Sequence, residues 1–385
     1  MTNQSMNRPI TVTHIISGDL WAGAEVQVYN LCKALNEGDD IAVNAVVFNP
    51  GILHDKLLEL GIPVTLINEE TSGPITIARG IASHSRDYQS DIVHTHGFKE
   101  NVLGILGKDL ARVPYSVRTV HGNPEHRLSL KKPQKWLTSR LDILLGALRQ
   151  QAVIAVSSQL EQSLQPLFPG KVHKIFNFVD VGEIIHNWQP RHHLPGPPPS
   201  VAGIVGRLVP GKRMDLFIRT IALLNDQGHS FKGRIIGSGP LEHELRSLTK
   251  DLGISDKIAF TGFVNPAMTE ISKLDILVMP SDHEGLPMTL LEAVSLGIPV
   301  VAHNVGGIPE VLAGWERSGL VDDQTAQAYA KQIVAITSRM ATSEKTHDPA
   351  SNDITHPPGF LDKFSSQQSS QRYVELYAGL VTKPH

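Results

Sequence analysis

The sequence predicts an α/β protein of two doubly wound parallel-sheet domains, and three observations carry that reading. Short apolar runs alternate with amphipathic stretches along most of the chain, as in parallel strands covered by helices on both faces. Glycine loops recur where these strands end, at Gly23, Gly122, Gly206 and Gly237. At 385 residues the chain is long enough for two domains, and the proline- and histidine-rich stretch 189–200 reads as a linker.

Residues before Arg8 read as a disordered leader. Residues 10–16 form a strand, 17–23 a loop and 24–35 a helix with Val26, Val28, Leu31 and Leu35 along its apolar side. A strand, a glycine loop and a helix N-terminus offer an anion cradle at Gly23, although any βα turn of such a sheet looks alike. Strands are expected at 42–48, 64–67, 91–96 and 115–120, with helices at 54–60 and 75–83. His94 and His96 share one face of their strand. A metal site there is conceivable, but no further ligand pattern accompanies the two histidines. His121 stands at the carboxyl end of a strand, where ligands bind in open α/β sheets. Arg127, Lys131, Lys132, Lys135 and Trp136 follow in a loop that reads as solvated surface or as a patch for anionic lipid. A strand at 153–157 leads into a helix capped at Ser158.

The second domain opens with a strand at 201–205 and then Gly-Arg-Leu-Val-Pro-Gly-Lys, 206–212. Arg207 and Lys212, five apart across a turn at a strand end, can converge on one diphosphate. A helix at 214–224, a strand at 231–236 and the Gly237-Ser-Gly-Pro loop follow. That loop is no dinucleotide fingerprint, because Glu242 stands where a third glycine would. A helix at 241–252, a strand and turn at 258–264 and a helix at 265–273 come next. Residues 274–301 then read as strand, tight turn, helix and strand, the helix opened by Pro287 and closed by Gly297 and Pro299. Glu284 lies in that turn and Glu292 about two turns on. Both face one mouth, with the free amides of Met288 and Thr289 between them. A helix at 325–339, a polar segment at 341–371 read as a mobile loop or insertion, and a helix at 372–380 complete the chain.

Hydrophobic residues make up 41% of the chain and the formal charge is −3, so a soluble globular protein without affinity for nucleic acid is expected. The single cysteine, Cys32, excludes an internal disulfide and fits a reducing compartment. No signal peptide and no bilayer-length apolar run are evident, so a cytoplasmic location is expected.

Glu-Gly-Leu-Pro-x4-Glu-Ala followed by Gly-Ile-Pro-Val-Val-Ala, residues 284–302, resembles the signature of retaining glycosyltransferases of family 4, which have the GT-B fold. Gly-Arg-Leu…Lys at 206–212, Gly-x-Gly-Pro at 237–240, Thr-Val-His-Gly at 119–122 and His-x-His-Gly at 94–97 resemble further family elements. Ala22 departs from the pattern, replacing the first of two glycines, and so does Arg317-Ser-Gly-Leu-Val. The resemblance implies an acceptor-side domain, 1–185 with a closing helix at 370–385, and a nucleotide-sugar domain, 186–369, facing a cleft that His94 and His96 line. It implies transfer of a sugar from a UDP- or GDP-linked donor to a glycan or lipid-linked acceptor, in bacterial-type surface polysaccharide or glycolipid synthesis. His121 would contact the donor sugar and Glu284 would orient its hydroxyls. Arg207, Lys212 and the amides of Met288 and Thr289 would hold the departing diphosphate, and Glu292 the ribose. Gly23, Gly237, Val264 and Leu286 would complete the donor site. No essential metal is expected: the chain has no Asp-x-Asp triplet, and its cations can do that work. Similar enzymes often dock peripherally on a membrane. A nucleotide-sugar epimerase of the same fold and a catalytically silent binding protein are the rivals.

Overall fold

The computed structural model describes residues 8–122, 133–188, 201–343 and 355–382. The expected leader and linker lie outside them, as do Arg127, Lys131, Lys132 and the side chains of Lys135 and Trp136. The chain divides into two compact units, residues 1–178 with 363–385 and residues 179–362.

The first unit runs β1 (Ile10–Ile16), α1 (Gly23–Asn36), β2 (Ile41–Val47), α2 (Ile52–Glu59), β3 (Val64–Leu66), α3 (Pro74–Asp87), β4 (Ile92–Thr95), α4 (Phe98–Ala111), β5 (Tyr115–Val120), α5 (Pro133–Arg149), β6 (Ala152–Ala155), α6 (Ser158–Leu164) and β7 (Val172–Lys174). The strands pair in parallel in the order β3-β2-β1-β4-β5-β6-β7. Every residue of β1, β4, β5 and β6 is buried, as expected of strands covered on both faces. The order reverses between β1 and β4, the switch point at which such sheets bind ligands.

The second unit runs α7 (Val181–Asn187), β8 (Val201–Val205), a 3-10 turn (Pro210–Lys212), α8 (Met214–Asp226), β9 (Lys232–Ile236), α9 (Glu242–Asp251), β10 (Ile258–Gly262), α10 (Met268–Ile271), β11 (Ile276–Met279), α11 (Met288–Ser295), β12 (Val300–His303), α12 (Ile308–Leu312), β13 (Ser318–Val321) and α13 (Ala326–Ser343). Its sheet, β10-β9-β8-β11-β12-β13, is also parallel and has its switch between β8 and β11. Phe217, Ile235, Val278 and Tyr329 sit in its core.

Three elements differ from the sequence reading. The turn-like stretch after Arg317 is strand β13, which gains its ladder from β12 at the sheet edge. The polar segment after 341 is not one loop: α13 reaches Ser343, α14 (Phe360–Phe364) follows, and α15 (Ser366–Val381) begins six residues earlier than expected. Phe360 and Phe364 are buried, whereas Gln367, Gln368 and Gln371 cover the exposed side of α15. Two apolar anchors therefore order a stretch whose composition reads as solvent-loving. Tyr373 and Tyr377 of α15 enter the core of the first unit beside Val28, Leu31 and Cys32 of α1.

Candidate active site

At the second unit's switch point, the turn after β8 and the turn after β11 are joined by an ion pair. Lys212 Nζ lies 2.5 Å from Glu284 Oε1, and the Glu284 side chain is 8% exposed. A backbone hydrogen bond from Asp282 N to Gly211 O, 2.9 Å, ties the same two loops. Arg213, at φ 51°, begins α8 and pairs with Asp215 and with Asp282 Oδ1, 3.3 Å. Gln324 Nε2 donates to the same Asp282 oxygen at 3.0 Å. Arg213, Asp282 and Gln324 thus pin the turn that carries Lys212. Sequence reasoning passed over them because their spacing brings them together only across three βα loops.

Glycine sets how closely these loops pack. A Cβ on Gly237, at φ +133°, would collide with the Gly206 carbonyl oxygen, and one on Gly239 would stand 2.6 Å from Leu208 N and O. A Cβ on Gly306, at φ +60°, would collide with the Glu284 carbonyl oxygen. The loops after β8, β9, β11 and β12 therefore form one backbone-to-backbone layer, and only glycine fits at those positions. Gly237 N also donates to Gly262 O, 2.8 Å, bringing the half-buried Val264 loop alongside.

The Arg207 side chain is exposed and makes no hydrogen bond or ion pair among the described residues, while its carbonyl accepts from Val209 N at 2.9 Å. No side chain caps α11, and its first-turn amides, including Met288 and Thr289, have no acceptor within the helix. Leu286 and Met288 bury their side chains, so only their backbones can meet a ligand. Glu292 is half-buried and lacks a polar partner among the described residues; burial pushes its carboxyl up to about 7. A lone, recessed carboxyl one turn into α11 is equipped to accept hydrogen bonds from ligand hydroxyls.

In the first unit, Gly23 is the first residue of α1 and is exposed. The amide of Ala22 donates to Glu25 Oε2 at 3.2 Å, so the expected anion cradle already holds an internal carboxyl. Burial pushes Glu25 up to about 7.

His94 and His96 were expected to line a cleft, but they are 0% and 6% exposed and sit inside the first unit. Parallel register sets His14 of β1 beside His94, on the same face of the sheet. His94 Nδ1 meets Tyr377 Oη at 2.6 Å and its Nε2 meets Thr119 Oγ1 at 2.8 Å. These partners from α15 and β5 close over a pair the sequence left open. His14, missed in the sequence, shares the strand parity that selects His94, and that register is the signal that could have found it. Nitrogens of His14, His94 and His96 lie within 4.8 Å of one another, yet the geometry does not favour an ion. The rings of His94 and His96 pack at a tilt of 34° with centroids 4.2 Å apart, and both His94 nitrogens are already bonded. Ligating imidazoles instead aim in-plane lone pairs at one point. His121 directly follows β5, with Nε2 3.2 Å from His96 Nδ1.

Two parallel α/β units, each with its polar cluster at the sheet's switch point, are the GT-B architecture. The family model described as "Glycosyltransferase Family 4" matches residues 21–183, and that of "Glycosyl transferases group 1" matches residues 189–352. The chain belongs to the family 4, group 1 glycosyltransferases. It is 33% identical over 148 residues to a putative colanic acid biosynthesis glycosyltransferase of Escherichia coli K12, a match covering 36% of each chain. It is 29% identical over 230 residues to an Escherichia coli UDP-Gal:alpha-D-GlcNAc-diphosphoundecaprenol alpha-1,3-galactosyltransferase, covering 56% of this chain and 58% of that one. The chain thus spans about a third to three fifths of the length of these relatives. Among solved structures, Anabaena HepE in complex with UDP aligns with a TM-score of 0.74 at 20% identity, over 96% of this chain and all of that one.

Proposed function

We propose that this protein transfers a sugar from a UDP-linked donor to an acceptor hydroxyl in surface polysaccharide synthesis, with retention of anomeric configuration. The observation that carries the reading is the Lys212–Glu284 pair at the β8/β11 switch point, beside the uncapped N-terminus of α11. As the bond from the anomeric carbon to the diphosphate oxygen breaks, negative charge grows on the leaving group. Lys212, Arg207 and the amides of Met288 and Thr289 stabilise that charge without reorganising. Glu284, held by Lys212, orients the sugar hydroxyls, and Glu292 accepts from the ribose. The backbone around Gly237 and Val264 serves the nucleotide. These cations do the work a divalent metal does elsewhere. The names of the relatives support UDP over GDP. A thermal-shift panel tests it: UDP and UDP-sugars should raise the melting temperature by several degrees, whereas GDP and ADP should not. Equal shifts from GDP would remove the base assignment. Sugar isomers appearing without an acceptor would favour the epimerase reading.

The acceptor is proposed to be lipid-linked, with the first unit resting on an anionic membrane on the cytoplasmic side. None of the helices among the described residues is long and apolar enough to cross a bilayer. Leu141, Leu144 and Leu148 of α5 are exposed, at positions i, i+3 and i+7, and so are Leu106 and Leu110 of the neighbouring α4. In the sequence this apolar stripe comes after Lys131, Lys132 and Lys135, a combination suited to a lipid interface. Co-sedimentation with vesicles containing anionic lipid should fall with rising salt and on replacing the three lysines by glutamine. Leu144→Asp with Leu148→Asp should weaken it further. Binding that ignores both changes would leave a soluble acceptor as the better reading.

A further inference from the structure

Arg213 stands where arginine is a poor local choice. Among the described residues, three that are not glycine have a positive φ: Gln89, Arg112 and Arg213. Gln89 and Arg112 follow helices α3 and α4, where a left-handed residue is ordinary. Arg213 instead precedes one. It is the N-cap of α8 at φ 51° and ψ 44°, whereas N-caps normally take the extended region and lend a side-chain oxygen to the first turn. Arginine has no such oxygen, and it carries a Cβ that the left-handed region disfavours. An outlier of this kind points to a role in tertiary structure rather than in the helix.

The side chain shows that role. Arg213 Nε and Nη2 reach the two carboxylate oxygens of Asp215 at 3.2 and 3.4 Å, while Nη1 reaches Asp282 Oδ1 at 3.3 Å and Gln324 Oε1 at 3.4 Å. Gln324 Nε2 closes the cluster by donating to Asp282 Oδ1, 3.0 Å, and to Pro280 O, 3.2 Å. Asp282 therefore grips both neighbours of Lys212. Its amide holds the Gly211 carbonyl at 2.9 Å, and its carboxylate holds the Arg213 guanidinium. Glu284, two residues past Asp282, meets Lys212 itself. Two rungs thus join the loops, Lys212 to Glu284 and Arg213 to Asp282, and the second limits how far the first can part. The Arg213, Asp282 and Asp215 side chains are 27%, 34% and 43% exposed, and ion pairs at that exposure add little to stability. What this rung contributes is geometry.

We infer that Arg213 is a positioning residue: acting through Asp282 and Gln324, it fixes the Lys212–Glu284 pair in the geometry that receives a diphosphate. The inference rests on the reading that Lys212 meets the diphosphate, and every residue it invokes lies in the second unit.

Calorimetry on the full chain, with UDP as the probe, tests it as a double-mutant cycle. Arg213→Gly removes the guanidinium and relaxes the backbone. It should weaken UDP binding about tenfold when Lys212 is present, and by less than about twofold in the Lys212→Ala background. Its melting temperature should stay within about 3 °C of wild type, because the relaxed backbone offsets the lost pairs. A larger fall in melting temperature, or the same loss of UDP affinity in both backgrounds, would show a merely structural residue and overturn the positioning role. Asp282→Asn keeps the bond to Gly211 and loses the ion pair. It should repeat the Lys212-dependent loss on a smaller scale, which keeps the test open if Arg213→Gly does not fold. Unchanged UDP affinity in Asp282→Asn would refute the rung. Wild-type UDP affinity in Lys212→Ala would instead sink the diphosphate reading, and this inference with it, through a measurement in which Arg213 is intact.

Discussion

Arg207→Ala lowers turnover roughly a hundredfold or more, with a smaller change in donor KM, the scale for losing one preorganised contact to a leaving group. The Arg207 side chain is exposed and has no partner among the described residues, so its removal orphans nothing and stability should hold. That makes it the cleaner of two tests. Lys212→Ala should cost at least as much, but part of its loss has another origin: Glu284, nearly buried, would be left without its cation. A melting curve separates the two contributions. Near-wild-type kinetics in both variants would end the assignment of this turn to the diphosphate.

The second expected result divides the glutamates by pH. A ribose hydroxyl bonds an ionised carboxylate more strongly than a protonated one, and Glu292 titrates near 7 because burial disfavours its charge. UDP affinity should therefore rise between pH 6 and pH 8, by up to about tenfold, and Glu292→Gln should flatten that rise. The same shift has an opposite sign for stability. A carboxyl whose folded value is raised from 4.5 to about 7 contributes most below pH 4.5 and loses that contribution as pH climbs through 7. Glu292→Gln should thus gain stability over wild type at pH 8, on the order of 1–3 kcal/mol, while binding UDP less tightly. Glu284→Gln should do the reverse, keeping UDP affinity and losing turnover. Calorimetry showing UDP affinity unmoved in Glu292→Gln and lost in Glu284→Gln would exchange their roles.

The doubly wound architecture was legible because buried parallel strands write themselves as short apolar runs, and β1, β4 and β11 do so plainly. The strand-end positions of Glu284, Arg207, Lys212 and His121 followed from the same pattern. Ion-pair partners did not. Nothing in spacing says that Lys212 meets Glu284, seventy-two residues on, since strand order decides which loops become neighbours. Burial was illegible too: His94 and His96 look like surface ligands until Tyr377 arrives from the far end of the chain. The glycine layer was half visible. Gly237 and Gly239 announced a loop, but that Gly306 must clear the Glu284 carbonyl appears only in three dimensions.

Tyr373 and Tyr377 have a consequence for how the protein is made. The first unit closes its core with residues that follow the whole of the second in sequence, 179–362. During synthesis the ribosome must therefore add 184 residues (362 − 179 + 1) before α15 reaches the apolar face of α1. At 5–20 residues per second that wait lasts roughly 10–40 s. Throughout it, Val28, Leu31 and Cys32 lack their cover and His94 lacks its Tyr377 partner. Over that interval the apolar face of α1 stays open, and a helix made after the whole second unit is the one that covers it.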